Sequence, residues 1–185
     1  FDAVIVSDDN ALNFVIQYQD ELFNNIPIVF LGINDEEKAL RMNSNDLITG
    51  VIEKTSMEET ISLGLALNQN SFSLIRIVDN TYSGQIDLKK FYNLSSNYPN
   101  IEFTDISLKD LTFDQFEKKL HLIDQNDVVL LLSVFNDKSE KTLSFYKGLE
   151  LITDNCKSPI YHPYYHGIGN GILGGKVISH FEQGK

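Results

Sequence analysis

Six residues, Ile26-Pro27-Ile28-Val29-Phe30-Leu31, form an unbroken apolar run between polar flanks. The run is too short for a helix. Its β-branched and aromatic content reads as a strand buried on both faces, the kind found in parallel sheets. It ends in Gly32-Ile33-Asn34, a small flexible tip, and a second strand-like piece follows at 47–52. Comparable runs recur at 1–6, 72–78, 101–106, 127–135, 159–161 and 177–179, and that at 127–135 is the most apolar.

Between these runs the apolar spacing becomes helical. Leu12, Val15, Ile16, Leu22 and Phe23 share one face over 11–23. Ile61, Leu65 and Leu67 point inward from a helix ending near Asn68, and Phe113, Phe116 and Leu120 line up over 110–123. Further helices are expected at 85–96 and 142–155. Ser56 followed by Glu59 has the spacing of a capping box. Alternation of strand and helix, with about seven strands, predicts an α/β fold of parallel sheets flanked by helices and joined by right-handed crossovers. The segment 162–175 breaks the pattern: it holds five of the eleven glycines and is expected to be loop or strained turn.

The chain of 185 residues can form one large domain or two small ones, and its 42% hydrophobic content is that of a globular protein. A net charge of −11 argues against nucleic acid and anionic membrane surfaces as partners, because phosphate binding needs clustered Lys and Arg. No apolar stretch approaches the length of a bilayer span, so membrane attachment is expected only through segments outside this chain. Phe1 already begins a strand, so the chain reads as part of something longer. Cys156 stands alone, which excludes an internal disulfide and suits a filler role better than a nucleophile's.

In parallel sheets, ligands gather at the carboxyl ends of the strands. Polar residues collect there: Asp8-Asp9-Asn10, Asn34-Asp35, Asp79-Asn80-Thr81 and Asn136-Asp137. No strand leads into a phosphate loop or dinucleotide fingerprint. Gly167, Gly169 and Gly171 follow Pro163 and open no helix. His162 and His166 have the four-residue spacing of helical metal ligands, but Pro163 lies between them and glycines follow, and they read as polar loop residues lining a cleft. Asp8-Asp9 fits a phosphate-accepting pocket less well than a helix cap with a hydrogen-bonding cleft residue. No serine has a nucleophile-elbow setting, so an enzyme is not expected, nor is a metal or cofactor. Tyr82, Phe135, Tyr161, Tyr164 and Tyr165 lie at strand ends or in the glycine loop, where aromatic rings can stack on a small ligand.

The motifs VSDDNAL, ELFNNIPIVFLGIN, LITGVIE, VDNTYSG, LLSVFND and GIGNGILGGKVIS, in this order, resemble the ABC-transporter substrate-binding-like family of periplasmic-binding-protein folds. The likeness is to the branch that forms the extracellular sensor region of membrane-bound histidine kinases and diguanylate cyclases. It spans essentially the whole chain. It implies two α/β lobes, with 1–47 plus 137–175 as lobe one and 48–136 plus 176–185 as lobe two. Lobe one would be incomplete at its N-terminus. A cleft would be lined by Asp8, Asp9, Asn10, Asn34, Thr49, Gly50, Asp79, Thr81, Gly84, Phe135, Tyr161 and Tyr165. Thr49-Gly50 would be the hinge crossing, where a bulky residue would alter ligand response more than stability.

The implied function is that of an extracytoplasmic ligand-binding sensor in a two-component or cyclase receptor. The ligand would be amino-acid-like or another polar metabolite, and a homodimer is compatible with this. The alternative is the substrate-binding component of an ABC transporter.

Overall fold

The computed structural model describes residues Phe1–Lys185. Strand β1 (Val4–Ser7) leads into helices α1 (Asp9–Gln17) and α2 (Gln19–Leu22), then β2 (Ile28–Ile33), α3 (Glu36–Arg41), a 3₁₀ turn and β3 (Ile48–Ile52). The helix expected over 11–23 is therefore two helices, parted at Tyr18, whose ψ of 18° leaves the helical range. The strands run parallel in the order β1-β2-β3. Their inward side chains Val6, Ile28, Phe30 and Ile48 join Leu12 and Val15 of α1 and Ala39 of α3 in one core. With helices on that side, the other face stays open: Ile5 is 72% exposed, Val51 46% and Val29 37%. The run at 26–31 is thus buried on one face, not on two.

Helix α4 (Met57–Leu67) begins the next set, followed by β4 (Ser73–Val78), α5 (Tyr82–Leu94), β5 (Glu102–Ser107), α6 (Phe113–Leu120), β6 (Val128–Leu131), α7 (Phe145–Asn155), β7 (Ile160–Tyr161) and β8 (Ile172–Gly174). These five strands are all parallel, in the order β5-β4-β6-β7-β8. Helices cover both faces, and side chains alternate between two cores. Ile77, Val129 and Leu131 pack against Phe113, Phe116 and Leu120 of α6 and Leu149 and Ile152 of α7. Leu74, Val128 and Leu130 pack against Met57 and Ile61 of α4 and Phe91 of α5. On β4 the fully buried Arg76 lies 5.2 Å over the Phe91 ring, with a guanidinium nitrogen 3.2 Å from Asp105 of β5. Burial draws its pKa down to about 10, with Asp105 opposing, so it remains a cation at neutral pH.

The chain closes with α8 (His180–Gln183). Contacts divide it into two compact units, Phe1–Thr55 with Ile178–Lys185, and Ser56–Val177. This differs from the expected lobes for a reason of strand pairing. Strands β7 and β8 extend the sheet of β6, so 137–175 stays with unit two, and β3 pairs with β2, so 48–55 stays with unit one. The last residues, 178–185, return to unit one.

Three local expectations also change. Ser56 precedes α4 without a side-chain cap, and Glu59 instead pairs with Lys176 at 2.6 Å. A capping box does form at α6, where the Thr112 hydroxyl accepts from Gln115 N and the Gln115 side chain accepts from Thr112 N. A strand, β8, lies inside the glycine loop, and 177–179 is not a strand. No helix is long and apolar enough to cross a membrane.

Candidate functional site

In unit two the chain leaves β4 for β5 on one side and then reaches β6 on the other. That reversal makes the carboxyl ends of β4 and β6 the switch point of the sheet, where open α/β sheets bind ligands. Asp79, fully buried, occupies it. One carboxylate oxygen accepts from Thr81 N (3.0 Å), the Thr81 hydroxyl (2.6 Å) and the Ser133 hydroxyl (2.8 Å); the other accepts from Phe135 N (2.7 Å). Thr81 in turn caps α5 by accepting from Gly84 N at 3.2 Å. A Cβ on Gly84 would stand 2.7 Å from the Ser133 hydroxyl and 2.9 Å from Asp79, so this close approach requires glycine. Asp79 therefore ties the start of α5 to the end of β6, and its oxygens face inward. The Phe135 ring beside it is 39% exposed.

Next along the sheet, His162 follows β7 and is fully buried. Its Nδ1 lies 2.7 Å from the carbonyl of Leu131 and must carry a proton, because a carbonyl can only accept. Its Nε2 is thereby an acceptor, and His166 Nε2, 3.1 Å away, donates to it. Burial pushes the His162 pKa down to about 3, the neighbouring imidazole adding to the effect, so His162 is neutral at physiological pH. The Phe145 ring stacks on His162 (5.4 Å between centroids) and meets His166 edge-on (4.3 Å), while lying 6.3 Å from Phe135. The glycine loop is thus fastened to the end of β6, and Tyr165 on it is 71% exposed. Asp137 fixes the adjoining turn. Burial works against its ionisation, but bonds from Ser139, Phe113 N and Lys141 N prevail and lower its pKa.

In unit one, Asp9 is fully buried, and its two oxygens accept from Asn34 N (3.2 Å) and Asp35 N (3.1 Å). Asp8, with φ of 77°, accepts from Asp9 N, and both Asp8 and Asn10 are exposed. Asn34, 5% exposed, also reaches the carboxylate of Glu53, at 3.5 Å. Glu53 is 4% exposed and further contacts Gln183 Nε2 (3.0 Å) and His180 Nε2 (3.4 Å).

The structure brings Asp79, Thr81 and Gly84 together beside Phe135, and Asp9 together with Asn34. Three other expected residues are not presented at open strand tips. Thr49 and Gly50 lie within β3, opposite Val29 and Phe30, and the chain leaves unit one only at Thr55. Tyr161 is 2% exposed in the core, its hydroxyl bonded by Asn68 at 2.8 Å. Glu53 and Ser133 were not anticipated: Glu53 is a polar residue just beyond an apolar run, the signal that picked out Asp79, whereas Ser133 lies inside the run at 127–135. No three His, Cys, Asp or Glu side chains converge so as to hold a metal ion. Burial pushes the Cys156 thiol pKa up, away from reactivity.

The structure is similar to the crystal structure of an extracellular ligand-binding receptor from Verminephrobacter eiseniae ef01-2. The TM-score is 0.54 at 12% identity, over 86% of this chain and 43% of that one. The fold is of the periplasmic-binding-protein type. A carbohydrate transporter from Acidothermus cellulolyticus 11B, crystallised with myo-inositol, matches with a TM-score of 0.48 at 13% identity, over 92% of this chain and 58% of that one. The chain therefore spans less than half the length of the receptor and less than two thirds of the transporter. No family model matches the chain, and no curated protein matches it.

Proposed function

We propose that this chain is the ligand-binding part of an extracytoplasmic receptor in a bacterial membrane signalling protein, and that it binds a small polar molecule without turning it over. The observation that carries the reading is the switch point of unit two. There a saturated carboxylate, Asp79, holds the first turn of α5 against β6, and the exposed rings of Tyr82, Phe135 and Tyr165 occur in the segments that follow β4, β6 and β7. Likeness in fold to an extracellular ligand-binding receptor supports the same reading. A polar metabolite with one flat or apolar face, amino-acid-like or a polyol, suits rings that stack and polar groups that orient. The enzyme reading loses support at Asp9, whose oxygens take the Asn34 and Asp35 amides.

A transporter's substrate-binding component would share this fold. The gene downstream distinguishes the two: a membrane span followed by a kinase or cyclase supports the sensor.

The binding reading is tested by thermal-shift screening against amino acids, sugars and polyols, purines and organic acids. A ligand at 100 times its dissociation constant adds about 2.7 kcal/mol. Phe135→Ala and Tyr165→Ala are expected to weaken that ligand at least tenfold, and Tyr165→Ala, at a 71% exposed position, to leave the unliganded melting temperature nearly unchanged. Equal affinity in parent and variants would exclude this surface, and a silent screen would count against a small-molecule ligand.

A further inference from the structure

Glu53 is a carboxylate at the end of β3, 4% exposed, and it is contacted from two directions. On one side is Asn34, at the end of β2, which is itself bonded through its backbone N–H to Asp9 at the start of α1. On the other are two side chains of α8: Gln183, which donates at 3.0 Å, and His180, whose Nε2 lies 3.4 Å away. A line of polar contacts therefore crosses the carboxyl end of the three-stranded sheet, from α1 through β2 and β3 to α8. On the α8 side, two side chains meet the same buried acceptor. Gln183 also sits over Gly32, its Oε1 4.0 Å from where a Cβ on that glycine would stand. Asn34, expected to line a cleft as a strand tip, is 5% exposed.

Helix α8 is short and exposed. It has four residues, none of them buried, and its Phe181 ring is 74% exposed. A helix this short has no stability of its own and must be held by its surroundings. A buried carboxylate, in contrast, demands donors, because leaving it unmet costs far more than an exposed one. Among its donors only His180 can carry a charge. The other charged side chains of the segment, Glu182 and Lys185, pair with each other at 2.8 Å.

We propose that Glu53 is a latch. It holds the returning segment, Ile178–Lys185, on unit one, and the latched segment covers the strand ends that carry Gly32 and Asn34. The segment then has two states. Latched, it moves with unit one and closes this end of the sheet. Released, it frees the Asn34 side chain and the Gly32 tip. This device is independent of the ligand reading above, since every residue in it belongs to unit one.

Backbone ¹⁵N relaxation on the full chain tests it, without any ligand. In the parent, amides of 180–184 are expected to show order parameters near those of the strands, about 0.85. In Glu53→Gln, and separately in Gln183→Ala, the same amides are expected to fall below about 0.6, with β1–β3 and β4 unchanged. Gln183→Ala removes a half-buried surface residue and leaves the sheet's own packing intact, so it guards against a folding defect in the Glu53 variant. Order parameters over 180–184 that stay at parental values in both variants would overturn the latch. So would loosening that spreads equally through β1–β3, which would make Glu53 a general packing residue.

Discussion

Burial of His162 ties the stability of unit two to pH. The ordinary imidazole pKa is near 6.5, and the folded value is about 3. Between those values the unfolded chain takes up a proton that the folded protein does not. Stability from this group is therefore complete above about 6.5 and is lost as pH falls, by about 1.4 kcal/mol per unit down to about 3. His162→Gln is expected to cost stability at pH 7, because the bond to Leu131 and the stacking on Phe145 are impaired. Its further loss between pH 7 and 5 should be shallower than in the parent. Urea unfolding at pH 7, 6 and 5 reads both slopes, and parallel slopes would refute the assignment. The spacing of His162 and His166 was visible in the residues alone, but their roles were not. Which nitrogen holds a proton depends on a carbonyl 31 residues away in the chain, at Leu131.

At the scale of elements, helices and strands were legible wherever a face repeats. The row Phe113, Phe116 and Leu120 is buried as its spacing implies. Two kinds of feature were not legible. One is the choice between caps of equal local quality: Ser56-x-x-Glu59 and Thr112-x-x-Gln115 have the same form, yet only the second closes, because Glu59 is drawn to Lys176. Thr112→Ala should thus destabilise by about 1 kcal/mol, a fall in melting temperature of about 2–4 °C, whereas Ser56→Ala should be nearly neutral. Equal shifts would contradict the distinction.

The other is whether a glycine marks flexibility or contact. Gly50 reads as a hinge in LITGVIE, but within β3 it lies against Phe30 so closely that a Cβ would strike that residue's carbonyl oxygen and ring. Gly50→Val is accordingly expected to lower the stability of unit one by about 2–3 kcal/mol. The measurement is chemical denaturation followed by amide signals of β1–β3. An undiminished midpoint together with an altered ligand response would restore the hinge.

For the whole molecule, alternation of strand and helix was enough for the α/β class, and the ends of apolar runs were enough to place Asp79 and Asn34 just beyond strands. Partition into units was not, because it depends on which strands pair across long separations: β7 and β8 join β6, and 178–185 returns to unit one. The two units differ in how they are built from the chain. Unit one needs two separate stretches, and one face of its sheet is uncovered. Unit two is a single stretch, Ser56–Val177, with five paired strands, helices on both faces and two apolar cores of its own. A continuous stretch with a covered sheet meets the requirements of an independent domain. Residues 56–177 expressed alone are therefore expected to fold, giving an α/β circular dichroism spectrum and one cooperative urea transition whose tyrosine signal reports Tyr161 entering solvent. The same fragment carrying Ser133→Ala should unfold at lower urea, because Asp79 loses one of its four donors in a buried setting. A fragment without a cooperative transition would show that unit two depends on unit one for its stability, whatever the independence of its strand pairing.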